Sequence, residues 1–181
     1  LGDYLYEAAP IKDRPRLHVS PELTTLQDYR DRYAQYATDP DLQAARAAFP
    51  WIVTPDDHEV ANNYASFTSA KNDPVELFSR RRAAAYHAYY EHQPLRASSV
   101  PKDAFIQLYR QFQYGDLAAF FVLDTRQYRS DQACDDGTKA LCEAAVDPTR
   151  TMMGDAQERW LFSGLDRSKA AWNLVPQQVM M

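Results

Sequence analysis

Phe105-Ile-Gln-Leu-Tyr-Arg-Gln-Phe-Gln-Tyr114, then Gly115-Asp116, then Leu117-Ala-Ala-Phe-Phe-Val-Leu123 decide the class of this fold. In the first arm Ile106, Leu108, Arg110, Phe112 and Tyr114 recur at every second position, the period of a strand. Tyr114-Gly115-Asp116 interrupts the pattern with turn residues, so the stretch predicts a hairpin. The second arm is apolar on both faces, as expected of a central strand covered from both sides.

Helical signals flank this hairpin. Ser20-Pro21-Glu22 places a hydroxyl before a proline, which predicts a helix start. Leu23, Leu26, Tyr29, Tyr33 and Tyr36 then follow at steps of three and four. Asp39-Pro40 repeats the signal, predicting a helix over 42–49 that Pro50 ends. Residues 51–54, Trp-Ile-Val-Thr, read as a short buried strand. Asp73-Pro74 opens a third helix running to about Tyr90. A fourth is expected over 155–167, with Trp160, Leu161 and Leu165 inward, and one more strand over 172–175. Mixed strands and helices give an α/β or α+β class. No internal repeat or low-complexity linker interrupts residues 1–181, so a single domain is the economical reading.

Composition narrows the function. The net charge is −5, from 20 basic and 25 acidic side chains. A stable nucleic-acid partner calls for a basic surface, so none is expected. No apolar run is long enough to span a bilayer. No GxGxxG or GxxxxGK[ST] motif offers a phosphate cradle. The chain starts at Leu1 without a leader and stops in the apolar Val179-Met180-Met181, which suggests a piece of a longer protein.

Cys134 and Cys142 sit in a polar, glycine-containing stretch, 131–142, that reads as a surface loop. They are either two free thiols or a local disulfide, and a disulfide implies an oxidising compartment. Zinc is disfavoured, because no CxxC pair or nearby His completes a ligand set.

Two clusters carry chemistry: Gly2-Asp3-Tyr4-Leu5-Tyr6-Glu7 and Asp56-Asp57-His58-Glu59-Val60-Ala61-Asn62-Asn63-Tyr64. A carboxylate with a tyrosine three residues on is a pair of hard oxygen donors. Asp-His with asparagines nearby offers a metal ligand, a proton donor and neutral amides. These are the parts of a metal-assisted phosphoester hydrolase. The alternatives are a folded binding module without a complete metal site, and a single-metal nuclease or nucleotide pyrophosphatase.

The blocks LGDYLYE, DDHEVANNYA, RRRAAAYHAYYEHQPLR, LDTRQYRSDQAC and MMGDAQERWLFSGL resemble the PhoD-type alkaline phosphatase family, within the calcineurin-like metallophosphoesterase superfamily. The resemblance covers essentially the whole chain. It implies part of an αββα sandwich with mixed sheets flanked by helices. It also implies a secreted or periplasmic phosphomonoesterase or phosphodiesterase using iron and calcium, acting on a small-molecule or polymeric phosphoester through a metal-bound hydroxide. By position, Asp3 is the bridging carboxylate and Tyr6 the phenolate on iron. Asp57 falls at the metal-binding position of the superfamily's GNH[ED] block and His58 at its leaving-group acid. Asn62 or Asn63 supplies an amide ligand. Arg81, by charge and fork geometry, is the candidate phosphate contact. Asp124 and Arg126 read as a structural ion pair. Two departures stand out: Pro55 where the family has Trp, and Pro176 where it has Ala. Further metal-ligand blocks are expected before Leu1 and after Met181.

Overall fold

A computed structural model describes residues 2–135 and 138–179 of the chain. The expectations that involve Leu1, Gly137, Met180 and Met181 lie outside the described residues.

The hairpin forms as expected, with a shorter first arm. β1 (Arg110–Tyr114) pairs antiparallel with β2 (Ala118–Val122), Arg110 opposite Val122 and Tyr114 opposite Ala118. β3 (Trp172–Leu174) adds in parallel to the other edge of β2. The order β1-β2-β3 makes the all-apolar arm central. Residues 106–108 stay off the ladder because Gln127 takes both main-chain groups of Ile106, donating to its carbonyl at 2.8 Å.

α4 (Gly154–Arg167) packs against this sheet through Leu161, next to Ala119, Phe121 and Leu123. Gly164 permits the approach: a Cβ there would stand 2.5 Å from the Phe121 ring.

A larger core gathers three helices over the segments that carry the candidate residues. α1 (Leu26–Ala37), α2 (Pro40–Ala48) and α3 (Val75–His92) enclose Leu5, Tyr29, Tyr33, Val60, Tyr64, Phe78, Tyr86 and Tyr89. Leu5, Val60 and Phe78 each contribute about 1.5–3 kcal/mol by leaving water. The chain holds 12 tyrosines, and five of them are among these enclosed residues: the rings fill the core while some hydroxyls find partners, as between Tyr64 and Tyr86 at 2.7 Å.

Asp39 caps α2 through Asp41 N–H and Leu42 N–H, as its Asp-Pro signal predicts. The Ser20-Pro21 start is corrected. α1 begins after Thr25, whose hydroxyl accepts from Asp28 N–H while the Asp28 carboxylate accepts from Thr25 N–H, a capping box. Residues 22–23 are drawn elsewhere: Glu22 is engaged by Lys71 and Arg81, and Leu23 N–H donates to Glu7 C=O. The strand expected over 51–54 is also absent. Arg110 donates to Val53 C=O at 2.5 Å, and Thr54 Oγ1 donates to Leu123 C=O at 2.7 Å, so side chains do the work of a ladder.

Both prolines that depart from the family pattern serve as acceptors. Gln178 donates to Pro55 C=O, and Leu123 N–H donates to Pro176 C=O at 3.0 Å.

Candidate metal centre

Two chain segments more than fifty residues apart build one site. The first, residues 2–8, is held by helix side chains. Arg32, buried in α1, donates to Tyr6 C=O and to Ala8 C=O. Arg46 from α2 donates to the Tyr4 hydroxyl at 2.8 Å. The second, residues 56–64, is a tight turn in which Val60 N–H and Ala61 N–H both donate to Asp57 C=O at 2.8 Å. Tyr29 of α1 ties it down by donating to Val60 C=O.

Glu59 joins the two. Its carboxylate, almost fully enclosed, accepts from Asp3 N–H, Tyr4 N–H and Asp56 N–H. Burial pushes its pKa up to about 7, against the pull of the Tyr4 and Asp56 amides. Gly2 lets the segments meet, since a Cβ at that position would stand 2.9 Å from Asp56 Cβ and 3.0 Å from Asp56 N.

Asp3, Asp57 and His58 each present a ligand atom, and the three lie within 4.8 Å of one another. Tyr6 reaches the same point: its hydroxyl donates to Asp3 Oδ2 at 3.1 Å, and its ring stacks on His58 with centroids 4.0 Å apart. Asp3 Oδ1 is buried without a hydrogen-bond partner among the described residues. A buried carboxylate oxygen without a donor, on a residue clustered with other potential ligands, is what a cation site leaves open. The residues present therefore fit a metal.

Glu7 was unassigned in the sequence. Its Oε2 accepts from His58 Nδ1 at 2.7 Å, and its Oε1 accepts from Asn62 N–H at 2.7 Å. That leaves His58 Nε2 on the side of Asp57 Oδ2, 4.0 Å away. Burial lowers the His58 pKa, but the Glu7 hydrogen bond and the charges of Glu7, Asp57 and Asp3 outweigh it, and the net shift is upward. Tyr6 moves up to about 12 through burial and the Asp3 charge; a cation beside it reverses that logic.

Asparagines 62 and 63 enter through their backbones. Asn63 N–H donates to Asp57 Oδ2 at 2.7 Å from a left-handed conformation, φ +53°, that asparagine tolerates.

The Asp124–Arg126 ion pair is corrected. Arg126 turns to the site, donating from Nε to Asp56 Oδ1 at 2.6 Å and from Nη2 to Asp57 Oδ1 at 3.1 Å. Asp124 is buried and accepts from Gln127 and from Arg126 N–H instead. Burial raises Asp57, yet Asn63 N–H, Arg126 and His58 hold it below the ordinary carboxylate range.

Arg81 stands apart from Asp3, Asp57 and His58 in its contacts. It donates to the Tyr29 hydroxyl at 3.1 Å and to Glu22 at 3.0 Å, and its buried Nη2 has no partner among the described residues. It lines a cavity of about 250 Å³ together with Glu7, Asn62 and Lys71.

Cys134 and Cys142 form a disulfide across a Cα separation of 5.8 Å. No helix among the described residues is long and apolar enough to cross a membrane.

Comparison with known proteins places the chain among phosphatases. Alkaline phosphatase D of Bacillus subtilis (strain 168) is 55 % identical over 184 residues, covering 99 % of this chain and 32 % of its own length. A solved structure of PhoD superposes with a TM-score of 0.96 at 56 % identity, covering 99 % of this chain and 35 % of that one. The chain thus spans about a third of each relative, and its mixed α/β architecture is that of a metallophosphoesterase-like fold. The sequence profile of the PhoD-like phosphatases matches residues 1–181, and the chain belongs to the PhoD-like phosphatase family.

Proposed function

We propose that this chain is the central part of one catalytic domain that hydrolyses phosphoesters with the help of bound cations. One observation carries the reading: Asp3, Tyr6, Asp57 and His58 converge although the two segments are over fifty residues apart, and Asp3 Oδ1 is left buried and unpaired among the described residues. In this reading Asp3, Tyr6, Asp57 and the side chain of Asn62 or Asn63 hold iron and calcium. Bound there, such cations acidify water for attack on phosphorus and neutralise charge on the phosphoryl oxygens.

The chain's own residues handle the rest. As the P–O bond to the leaving group breaks, His58 Nε2 gives its proton to the departing oxygen. Glu7 holds Nδ1–H, so that Nε2 is the atom free to do so. Arg126 neutralises two adjacent carboxylates that would otherwise repel an anionic substrate. Arg81, with Nε on the Tyr29 hydroxyl, Nη1 on Glu22 and Nη2 buried, would meet a phosphoryl oxygen only by turning within the cavity it shares with Asn62. The Cys134–Cys142 disulfide supports an extracytoplasmic location.

The test uses the full-length protein. Metal analysis and turnover of p-nitrophenyl phosphate and bis(p-nitrophenyl) phosphate are measured for wild type, Asp3→Asn and Tyr6→Phe. Loss of iron and at least a hundredfold loss of activity are expected in both variants. Retained iron with near-normal turnover in either variant overturns the assignment.

A further inference from the structure

A cavity of about 320 Å³ opens beside the candidate centre. Tyr6 belongs to both: it stacks on His58 and also lines this cavity, with Ile11, Arg14, Arg16, His18 and Tyr36. An aromatic and aliphatic wall with a few placed cations is the usual make-up of a small-molecule pocket.

Its polar groups differ in availability. His18 is spent on the wall, with Nδ1 donating to Ala8 C=O at 2.7 Å and Nε2 lying 3.2 Å from the Tyr36 hydroxyl. Burial lowers the His18 pKa, which keeps the ring neutral. Arg16 pairs with Asp39 and lies over the Tyr36 ring, 5.7 Å from its centroid. Arg14 has no hydrogen-bond or ion-pair partner among the described residues and is free to bind an anion. Carboxylates crowd the centre itself, where Asp3, Glu7, Asp56, Asp57 and Glu59 face Arg126 and His58. The guanidinium groups on the cavity are therefore its distinguishing charge.

We infer that this cavity is a leaving-group subsite for an apolar or aromatic substituent that carries a second negative charge, with Tyr6 and Tyr36 as its walls and Arg14 as its anion contact. The inference rests on the phosphoester reading above and extends it to substrate selection. A flat guanidinium fork suits a carboxylate or a second phosphate, and the rings suit the carbon frame between the two anions.

The test uses the full-length holoenzyme and matched aryl phosphates bearing a para carboxylate or a para carboxamide, attached directly or through a two-carbon spacer. The readout is the carboxylate-to-carboxamide ratio of kcat/KM. Arg14→Ala is expected to lower that ratio at least fivefold for one of the spacers, and Arg14→Glu to lower it further. Lys12→Ala, on the same loop but outside the cavity lining, reports the general field of the loop. A ratio unchanged within twofold in Arg14→Ala, or an equal drop in Lys12→Ala, overturns the subsite while leaving phosphoester hydrolysis intact. Absence of turnover on every one of these esters while p-nitrophenyl phosphate is still hydrolysed also overturns the subsite alone; loss of p-nitrophenyl phosphate and bis(p-nitrophenyl) phosphate turnover as well overturns both readings.

Discussion

Glu7 Oε2 and His58 Nδ1 lie 2.7 Å apart, a hydrogen bond that spans 51 residues of sequence. The other oxygen of the same carboxylate anchors Asn62 N–H. One side chain thus sets both the tilt of the imidazole and the position of the turn that follows it.

Glu7→Ala frees the ring and the turn together. Residues that orient a site's functional groups typically cost 10–100-fold when removed, and kcat in the full-length protein should fall by about that much. The loss should be larger for esters with poor leaving groups than for p-nitrophenyl esters, because His58 matters most when the departing oxygen is basic. Steady-state kinetics on a graded series of aryl phosphates checks this. Equal loss across the series points to general misfolding of the site.

Arg126 is buried between Asp56 and Asp57. Arg126→Met leaves two enclosed carboxylates side by side without their cation. Breaking a buried pair in this way costs about 3–5 kcal/mol. Urea denaturation should show that loss in the metal-free protein, and Arg126→Lys should recover part of it as a single point charge. A midpoint unchanged in Arg126→Met contradicts the role assigned to this residue.

Glu59 gives a stability that depends on pH. Its pKa is raised from 4.5 to about 7 on folding, so the folded state binds more protons than the unfolded state between those values. Its contribution is fully present below about pH 4.5 and is lost as pH rises through 7; a shift of this size corresponds to roughly 3 kcal/mol. His58, also raised, acts in the same direction. Denaturation of the metal-free protein from pH 4.5 to 8 should therefore show falling stability, and Glu59→Gln should flatten the curve. A slope equal to wild type in the variant assigns the effect to other groups.

Local signals were legible where a residue's partners lie within a turn of it. Asp39-Pro40 places a cap two residues before the amide it accepts from, and α2 begins there. Tyr114-Gly115-Asp116 closes a hairpin of neighbours. Ser20-Pro21 carries the same local chemistry but fails, because Glu22 is claimed by Lys71 and Arg81 from far along the chain. Residues 51–54 mislead for a related reason: their apolar pattern reports burial, which a strand and a clamped loop share. In the centre, Asp3, Tyr6, Asp57 and His58 stand out as donor types in short blocks, and three of them converge as potential ligands. Glu7 and Arg126 escape that reading. Their importance comes from partners 51 to 70 residues away, a relation that no spacing rule contains.

If the centre holds cations as proposed, the bare Gly2 has a consequence for selectivity. Because main chain rather than a rotamer brings Asp3 toward the Asp56–Asp57 turn, the gap between the opposing oxygens is dimensioned when the polypeptide folds. Enlarging residue 2 would widen that aperture by displacing the backbone, so preference among ions of different radius should drift before binding itself disappears.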